Sequence, residues 1–359
     1  MLFKDTPKKL LALFKEFLMG ESLRLSGRMA SWHVRAQKII ANIQEVEFRV
    51  NSQWGQDGII DWLIERAEIP SGAQTFIELG VEDYRQSNTR FLLQNRNWRG
   101  LIMDGHPAVL AAVNSDGLAW RYDLTARAAF ITRENINDLI QRAGFEGEIG
   151  LLSIDIDGND YWVWEALHTV RPIICICEYN AVFGDVHPIC TAYDEHFNRT
   201  KAHFSNLYFG ASIDALRLLA AKKGYRFVGT NSAGNDAFFV REDYACRFVE
   251  SSLQSVRSLP SLFRESRDGS GQNTYIGGVE RLRLISCLPV IHVETGDIIT
   301  LGDLETVYSD EWMQLITGCA AGSRDTKADL EGSSPDYAMN PSEMRINAQN
   351  IQHSSVASV

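Results

Sequence analysis

The 359-residue chain lacks several features that would place it in a special class of protein. No apolar run approaches the roughly 18 to 20 residues that a membrane-spanning helix needs. The six cysteines form no CxxC pair and no regular framework, so they indicate reduced thiols rather than a disulfide scaffold or a zinc site. A net charge of -11 excludes general nucleic-acid binding, which needs a basic surface. We therefore expect a soluble, cytoplasmic globular protein.

Composition divides the chain into four segments. These are an N-terminal helical segment (1–50), a main domain (51–245), a C-terminal appendage (246–318) and a polar tail (319–359) that is predicted to be disordered. In the first segment Leu10, Leu13, Phe14 and Phe17 recur at helical spacing, and basic residues outnumber acidic ones. This predicts a helix that packs on the main domain. The alternative is peripheral membrane contact, in which a basic amphipathic helix touches an anionic surface.

Short apolar runs alternate with helical patterns through the main domain. Predicted strands cover 75–80, 100–104, 118–123, 149–155 and 173–179, and a final strand pair covers 225–231 and 236–241. Predicted helices cover 87–96, 134–144, 161–170 and 212–224. Runs such as LLSI and IICIC are continuously apolar, which is typical of parallel strands buried on both faces. The pattern predicts an α/β fold, a doubly wound and mostly parallel seven-stranded sheet.

Each of the first five predicted strands ends at or near an acidic residue, with further candidate site residues beside it. In chain order they are Glu78 and Gly80, Asp104, Asp123, Asp155 and Asp157, and Glu178 and Asn180. Doubly wound sheets bind ligands at the carboxyl ends of their strands, so we expect these residues to line a site.

The first strand and the helix after it are laid out like a nucleotide site. Gly80 would let the backbone approach a ligand, and a helix opening at 87–89, around Asn88, would present free amides. Asp104 is placed to accept hydrogen bonds from ribose hydroxyls. The segment is not G-x-G-x-x-G, because Glu82 and Asp83 stand where further glycines would be. These acids disfavour a diphosphate and favour a cationic ligand.

Six motifs together resemble an FkbM-type methyltransferase, which has the class I S-adenosylmethionine-dependent fold. They are TFIELGVEDYRQSNTRFL (75–92), GLIMDGHP (100–107), ENIN (134–137), LLSIDIDGNDYWVWEAL (151–167), CEYN (177–180) and GNDAFFVR (234–241), and the resemblance covers about 50–241. It implies an antiparallel strand in the final pair and a hydroxyl acceptor on a sugar, glycan or natural product. It also implies an S-adenosylmethionine site formed by Glu78, Gly80, Asp104 and Asp123. Glu82 departs from the glycine of many class I enzymes.

In this fold the fourth and fifth strand ends flank the transferring methyl group. Hard oxygen ligands from Asp155, Glu178 and Asn180 would suit Mg²⁺, in a pattern that looks like that of catechol-type O-methyltransferases. Without a metal, His187 in the loop after the fifth strand is the candidate general base.

The acids at 155–160 also have a purely structural explanation. Asp157, Asn159 and Asp160 can turn the chain and cap the next helix. We favour that explanation for Asp160, and a catalytic role for Asp155 and Asp157.

Three functional hypotheses follow. The first is an S-adenosylmethionine-dependent O-methyltransferase that takes a small-molecule or glycan acceptor. The second is a nicotinamide-dependent oxidoreductase, which the missing G-x-G-x-x-G disfavours. The third is a non-catalytic module that keeps the methyltransferase-like fold and binds without turnover.

Overall fold

Seven strands form the central sheet of the protein. The computed structural model describes residues 6–115, 117–261 and 265–321, with the side chains of the first helix described from Ser22 onward. The strands of this sheet are β1 (Thr75–Leu79), β2 (Arg99–Asp104), β3 (Leu124–Ala128), β4 (Gly147–Ile154), β5 (Val170–Glu178), β7 (Tyr225–Thr230) and β8 (Asp236–Arg241). Their order is β3-β2-β1-β4-β5-β8-β7.

Parallel pairing joins the first five strands, and β8 runs antiparallel to both of its neighbours. The order reverses between β1 and β4, as in other doubly wound sheets. The predicted α/β sheet is confirmed, and so is the antiparallel strand that the resemblance implied.

Helices cover both faces of this sheet. They are α1 (Thr6–Ala36), α2 (Gln56–Ala67), α3 (Arg90–Arg96), α4 (Ala108–Ser115), α5 (Leu118–Arg121), α6 (Ile136–Arg142), α7 (Asp160–Ala166), α8 (Arg199–Ala202), α9 (Ile213–Lys222), α10 (Glu242–Ala245), α11 (Val249–Ser252), α12 (Val279–Ile285) and α13 (Asp310–Ala321). The cap of α9 shows how local sequence sets such an element, since Ser212 accepts a hydrogen bond from the amide of Ala215.

The continuous apolar runs arise because neighbouring residues of a strand enter different cores. In β5, Ile174 and Ile176 pack in the core that holds α2 and α3. Cys175 and Cys177 pack in the opposite core with α6, α7 and α9. Successive strand side chains point to opposite faces, so a strand covered on both faces needs apolar residues at every position.

The predicted strand at 118–123 is wrong. Gly117 takes a left-handed conformation, and α5 follows it directly. The third strand begins only at Leu124 and lies at the edge of the sheet, where its side chains are half-buried or exposed. An edge strand needs little apolar content, so LTARA carries no apolar run that could have marked it.

A second, smaller sheet extends the long segment after β5. It consists of β6 (Ile189–Cys190), β9 (Pro289–His292) and β10 (Ile298–Thr300), all antiparallel. Residues 246–318, predicted as an appendage, also contribute Tyr308 and Trp312 to the core beneath the main sheet.

Some predictions fall where the structure gives no description. The side chains of Leu10, Leu13, Phe14 and Phe17 and nearly all of the predicted disordered tail, 322–359, lie outside the described part. Within that part, no helix is both long and apolar enough to cross a membrane.

Candidate active site at the carboxyl edge of the sheet

Three carboxylates gather where β4 and β5 end. One oxygen each from Asp155, Asp157 and Glu178 lies within 4.8 Å of the other two. Asp155 directly follows β4, and Glu178 is the last residue of β5, its parallel neighbour. Parallel pairing therefore brings these acids together, as the sequence predicted for Asp155, Asp157 and Glu178.

Their surroundings raise the pKa of two of these acids. Burial, followed by the charges of Asp157, Asp236 and Asp160, raises the pKa of Asp155 well above its usual value. Burial and then the charge of Asp155 raise the pKa of Glu178 in the same way. Because two neighbouring carboxylates resist losing both protons, the pair is suited to hold a proton or a cation between them.

One arginine partly balances this negative charge. The guanidinium of Arg199, in α8, lies 2.7 Å from Asp157 and stacks 3.8 Å from the ring centre of Phe209. Its Nε donates to the carbonyl of Asn206 at 2.7 Å, which fixes its direction. Its charge favours the ionised form of Glu178 and so lowers the pKa of that acid. The positive charge of Arg199 thus allows more of the acids in the cluster to be ionised at the same time.

Asp160 has the structural task that the sequence favoured for it. Its two carboxylate oxygens accept hydrogen bonds from the amides of Ile156 (2.8 Å) and Gly158 (2.9 Å). These bonds hold the turn in which Asp157 takes a left-handed φ of 57°. Such strain in a non-glycine residue commonly marks a functional site. The turn positions Asp157 beside Asp155.

At the end of β1, Glu78 holds the loop before α3. It accepts hydrogen bonds from the amides of Asn88 (2.7 Å) and Thr89 (3.0 Å) and from the hydroxyls of Ser87 and Thr89. Burial raises its pKa to about 7. Asn88 in turn donates its side-chain amide to the hydroxyl of Ser153 in β4. The oxygens of Glu78 are therefore committed to this loop, and the cofactor role of Glu78 and Asn88 stays a prediction.

Gly80 is required for a different reason from the one predicted. A β-carbon at this position would lie 1.6 Å from the carbonyl oxygen of Asp155. Its φ of 77° is also left-handed. The close approach that Gly80 permits in the fold is between β1 and the turn after β4, and its approach to a ligand stays a prediction.

Asp104 lies at the carboxyl end of β2 and organises the neighbouring loop. Its carboxylate accepts the amides of Val81 (2.9 Å), Glu82 (2.7 Å) and His106 (2.7 Å). A carboxylate has about four acceptor positions, so one remains for a ligand hydroxyl. The ribose role of Asp104 stays a prediction. In the loop that it holds, Glu82 and Tyr84 both have positive φ.

Three predicted site residues do not join this group. Asp123 is at the opposite edge, because it precedes β3 and its carboxylate lies 3.8 Å from Arg99, at the start of β2. The cofactor role of Asp123 is therefore wrong.

Asn180 has a structural task. Its side-chain oxygen accepts the amide of Val182, and its amide group donates to the carbonyls of Leu207 and Phe209. These bonds engage both ends of its amide, and its role as a metal ligand stays a prediction that no contact among the described residues supports.

His187 lies in the loop before β6. Its carbonyl accepts the hydroxyl of Ser212, and its ring lies in the electrostatic neighbourhood of Asp214. Within the described residues no hydrogen bond joins its ring to the acidic cluster. Its role as a base stays a prediction that no described contact supports.

Sequence reasoning missed three residues of the site. Asp236 begins β8 and pairs in register with Glu178, since the amino end of an antiparallel strand meets the carboxyl ends of its neighbours. Gln56, at the start of α2, donates to the Asp236 carboxylate. The predicted antiparallel strand was a signal for Asp236. Arg199 has no such signal, because only the folded loop brings it back to β4 and β5.

The cluster fits a divalent cation by the chemistry of its donors. Asp155, Asp157 and Glu178 offer carboxylate oxygens, which Mg²⁺ prefers. The Oε2 atom of Glu178 is buried and has no hydrogen-bond partner within the described residues. A buried oxygen without a partner is costly, and a cation or an acceptor hydroxyl would satisfy it.

Comparisons with known proteins give a limited result. No protein-family model and no curated protein matches the chain. Similar solved structures include the CurJ carbon methyltransferase, at 10% identity over 55% of this chain and 56% of that chain, with a TM-score of 0.34. The mitomycin 7-O-methyltransferase MmcR has 16% identity over 51% and 55%, with a TM-score of 0.30. The N-terminal domain of EvdMO1, solved with S-adenosylhomocysteine bound, has 11% identity over 52% and 79%, with a TM-score of 0.34.

The chain therefore spans little more than half of the first two of these proteins. Similarity at this level concerns the fold alone, so function has to be argued from the site.

Proposed function

We propose that this protein is an S-adenosylmethionine-dependent O-methyltransferase of FkbM type. The observation that carries the proposal is the cluster of Asp155, Asp157 and Glu178 at the carboxyl ends of β4 and β5. Sheets of this kind bind their ligands at this edge, near the point where strand order reverses between β1 and β4. In such a site the cofactor would lie over β1 and β2, and the acceptor over β4 and β5.

The cluster supplies what methyl transfer to an oxygen requires. The acceptor oxygen attacks the methyl group of the sulfonium, the carbon–sulfur bond breaks, and the hydroxyl proton has to leave. A carboxylate whose pKa is raised towards neutrality is an effective base for this proton. Asp155 and Glu178 have raised pKa values and lie side by side, so either can take the proton while the other stays protonated. The positive methyl donor is also favoured near these acids.

A divalent ion is the second part of the proposal. Asp155, Asp157 and Glu178 would hold Mg²⁺, and the ion would lower the pKa of the acceptor hydroxyl and orient its oxygen. Methyl transfer measured with and without EDTA separates the two versions of the mechanism. If methyl transfer is unchanged by EDTA, the carboxylates act as bases and not as ligands. If it is lost and Mg²⁺ restores it, they act as ligands.

The acceptor is proposed to be a hydroxyl of a sugar, glycan or natural product. The long segment from Ala181 to Phe209 joins β5 to α9 and passes over the cluster through Arg199. Loops at this edge usually set substrate specificity.

Calorimetry tests the function directly. Folded protein titrated with S-adenosylmethionine and with S-adenosylhomocysteine should release heat with both, and titration with NAD should give none. Absence of heat with both sulfur ligands, with protein that is folded by circular dichroism, would reject the methyltransferase. Binding without methyl transfer to any hydroxyl compound in a broad panel would instead support the non-catalytic module.

A further inference from the structure

From Ser22 onward, helix α1 packs on the domain along one face. Gly27 lies so close to the domain that a β-carbon there would be 2.4 Å from Val50. Ser31 is buried, and Asn95 donates a hydrogen bond to its hydroxyl. Val34 enters the main core. Residues 27, 31 and 34 are spaced four and three apart, so they mark a single buried stripe and set the rotation of the helix.

The opposite stripe of α1 is apolar and exposed. Leu25 is 63% exposed, Met29 is 67% exposed and Trp32 is 80% exposed, and their spacing again places them on one face. Trp120, in α5, is 77% exposed. Single exposed apolar residues are ordinary, but large side chains arranged in a stripe mark an interaction surface.

A basic cavity of about 500 Å³ lies beside this stripe. Its lining comes from α1, α3, α5 and the residue after α5, and consists of Ser22, Arg24, Leu25, Arg28, Phe91, Gln94, Asn95, Arg121 and Tyr122. Three of these residues are arginines and none is acidic, although the protein as a whole carries a net charge of -11. Local charge and overall charge therefore have opposite signs. The lining suits an anionic group, and a phosphate in particular.

We propose that α1 and α5 dock this protein on an anionic lipid surface. We call the surface formed by Leu25, Met29, Trp32, Trp120 and the three cavity arginines the docking face. Its apolar side chains would enter the headgroup region, and a headgroup phosphate would occupy the cavity. Membrane binding of this kind needs apolar burial and basic charge together, and the docking face supplies both.

The charges disfavour a second copy of the chain as the occupant. A two-fold dimer through the docking face would place the arginines of both copies, six in all, in one interface. Like charges at an interface oppose association. An anionic lipid surface instead complements the arginines and also accepts the exposed tryptophans, which favour the boundary between water and lipid.

Vesicle sedimentation of the full chain tests the proposal. Protein should sediment with vesicles of phosphatidylcholine and phosphatidylglycerol, and should not sediment with vesicles of phosphatidylcholine alone. Added salt should weaken the binding. Failure of the native chain to bind the anionic vesicles would overturn the proposal. So would release of bound protein by inorganic phosphate in equal-ionic-strength buffer, because the cavity would then be a site for a free anion.

Matched variants locate the binding. Arg28→Gln with Arg121→Gln should lower partitioning roughly thirtyfold, because each cation near an anionic surface contributes roughly a fivefold factor and the two factors multiply. Arg142→Gln with Lys222→Gln makes the same change of charge at exposed sites elsewhere and should lower it far less. Equal loss in both double variants would overturn the docking face.

The apolar stripe is tested separately. Trp32→Ser and Met29→Ser should each weaken binding, while Ile298→Ser, at a site that is 55% exposed on β10, should not. Unchanged binding in both stripe variants would contradict the insertion of the stripe. A concentration-dependent dimer that light scattering detects and Trp32→Ser abolishes would show a second copy as the occupant and overturn the proposal. Because all these side chains are exposed, the variants should melt at the native temperature.

Discussion

A single glycine decides how closely β1 can approach the turn after β4. In Gly80→Ala the new β-carbon would meet the carbonyl oxygen of Asp155 at 1.6 Å, in a backbone conformation that disfavours any side chain. We expect a loss of unfolding free energy of about 3 kcal/mol or more, measured by urea denaturation. Gly72→Ala is the control, since nothing lies within 4 Å of its β-carbon position. Equal stability of the two variants would show that the turn moves freely.

Asp155 and Asp160 should respond in opposite ways to the same change. Asp155 is surrounded by like charges, so Asp155→Asn should leave stability unchanged or raise it at pH 8, while methyl transfer is lost. Asp160→Asn places an amide group against two backbone donors and should lower the unfolding free energy by about 1 to 3 kcal/mol. Urea denaturation with an activity assay distinguishes them. Destabilisation by both variants would mean that Asp155 is also structural.

Arg199 should shift the pH dependence of the reaction. Its charge lowers the pKa of Glu178, so in Arg199→Gln that pKa should rise further. The acidic limb of the pH–rate profile should then move to higher pH. Arg142→Gln, at an exposed i,i+4 pair with Asp138, should leave the profile in place. A uniform fall in rate without a shift of the limb would indicate that Arg199 only holds the loop.

At the scale of elements, sequence reasoning succeeded where apolar content was high. The strands that are buried on both faces were predicted to within a few residues. Their short, continuous apolar runs are typical of strands with a core on each side. The edge strand β3 was missed, and its neighbour α5 was taken for a strand. Asp123 was assigned to the wrong edge of the sheet as a direct consequence. Asp236 could have been placed from the predicted antiparallel strand, whereas Arg199 could not, because its position depends on how the loop folds back to β4 and β5.

Helix α3 depends on a carboxylate that belongs to the neighbouring strand. Glu78 satisfies the amides of Asn88 and Thr89 just before α3 begins. Glu78→Gln replaces one accepting carboxylate oxygen with an amide group, which donates and would face the same donors. Thermal unfolding should therefore show a loss of about 1 to 3 kcal/mol in unfolding free energy. Glu82→Gln, at an exposed position in the same loop, is the matched control and should cost little. If Glu78→Gln leaves the unfolding free energy unchanged, water replaces the carboxylate as the partner of these amides.

Across the whole molecule, buried acids should make stability depend on pH. Burial raises the pKa of Glu78 to about 7 and those of Asp160 and Asp236 to about 6. It also raises the pKa of Asp57, in the first turn of α2, to about 6. An acid whose pKa is higher in the folded state binds its proton more tightly there. It therefore contributes stability that is fully present below the pKa of the unfolded chain and is lost as pH rises through the folded value.

The melting temperature at constant ionic strength should accordingly fall between about pH 5 and pH 8. Glu78 alone accounts for about 3 kcal/mol of this loss, from its shift of 4.5 to about 7. If Mg²⁺ binds the cluster, it should restore part of the lost stability at pH 8 and little at pH 5, because protons and the metal compete for the same oxygens. Glu178→Gln should remove this effect of Mg²⁺. A melting temperature that rises from pH 5 to pH 8 without metal would contradict the burial of these acids.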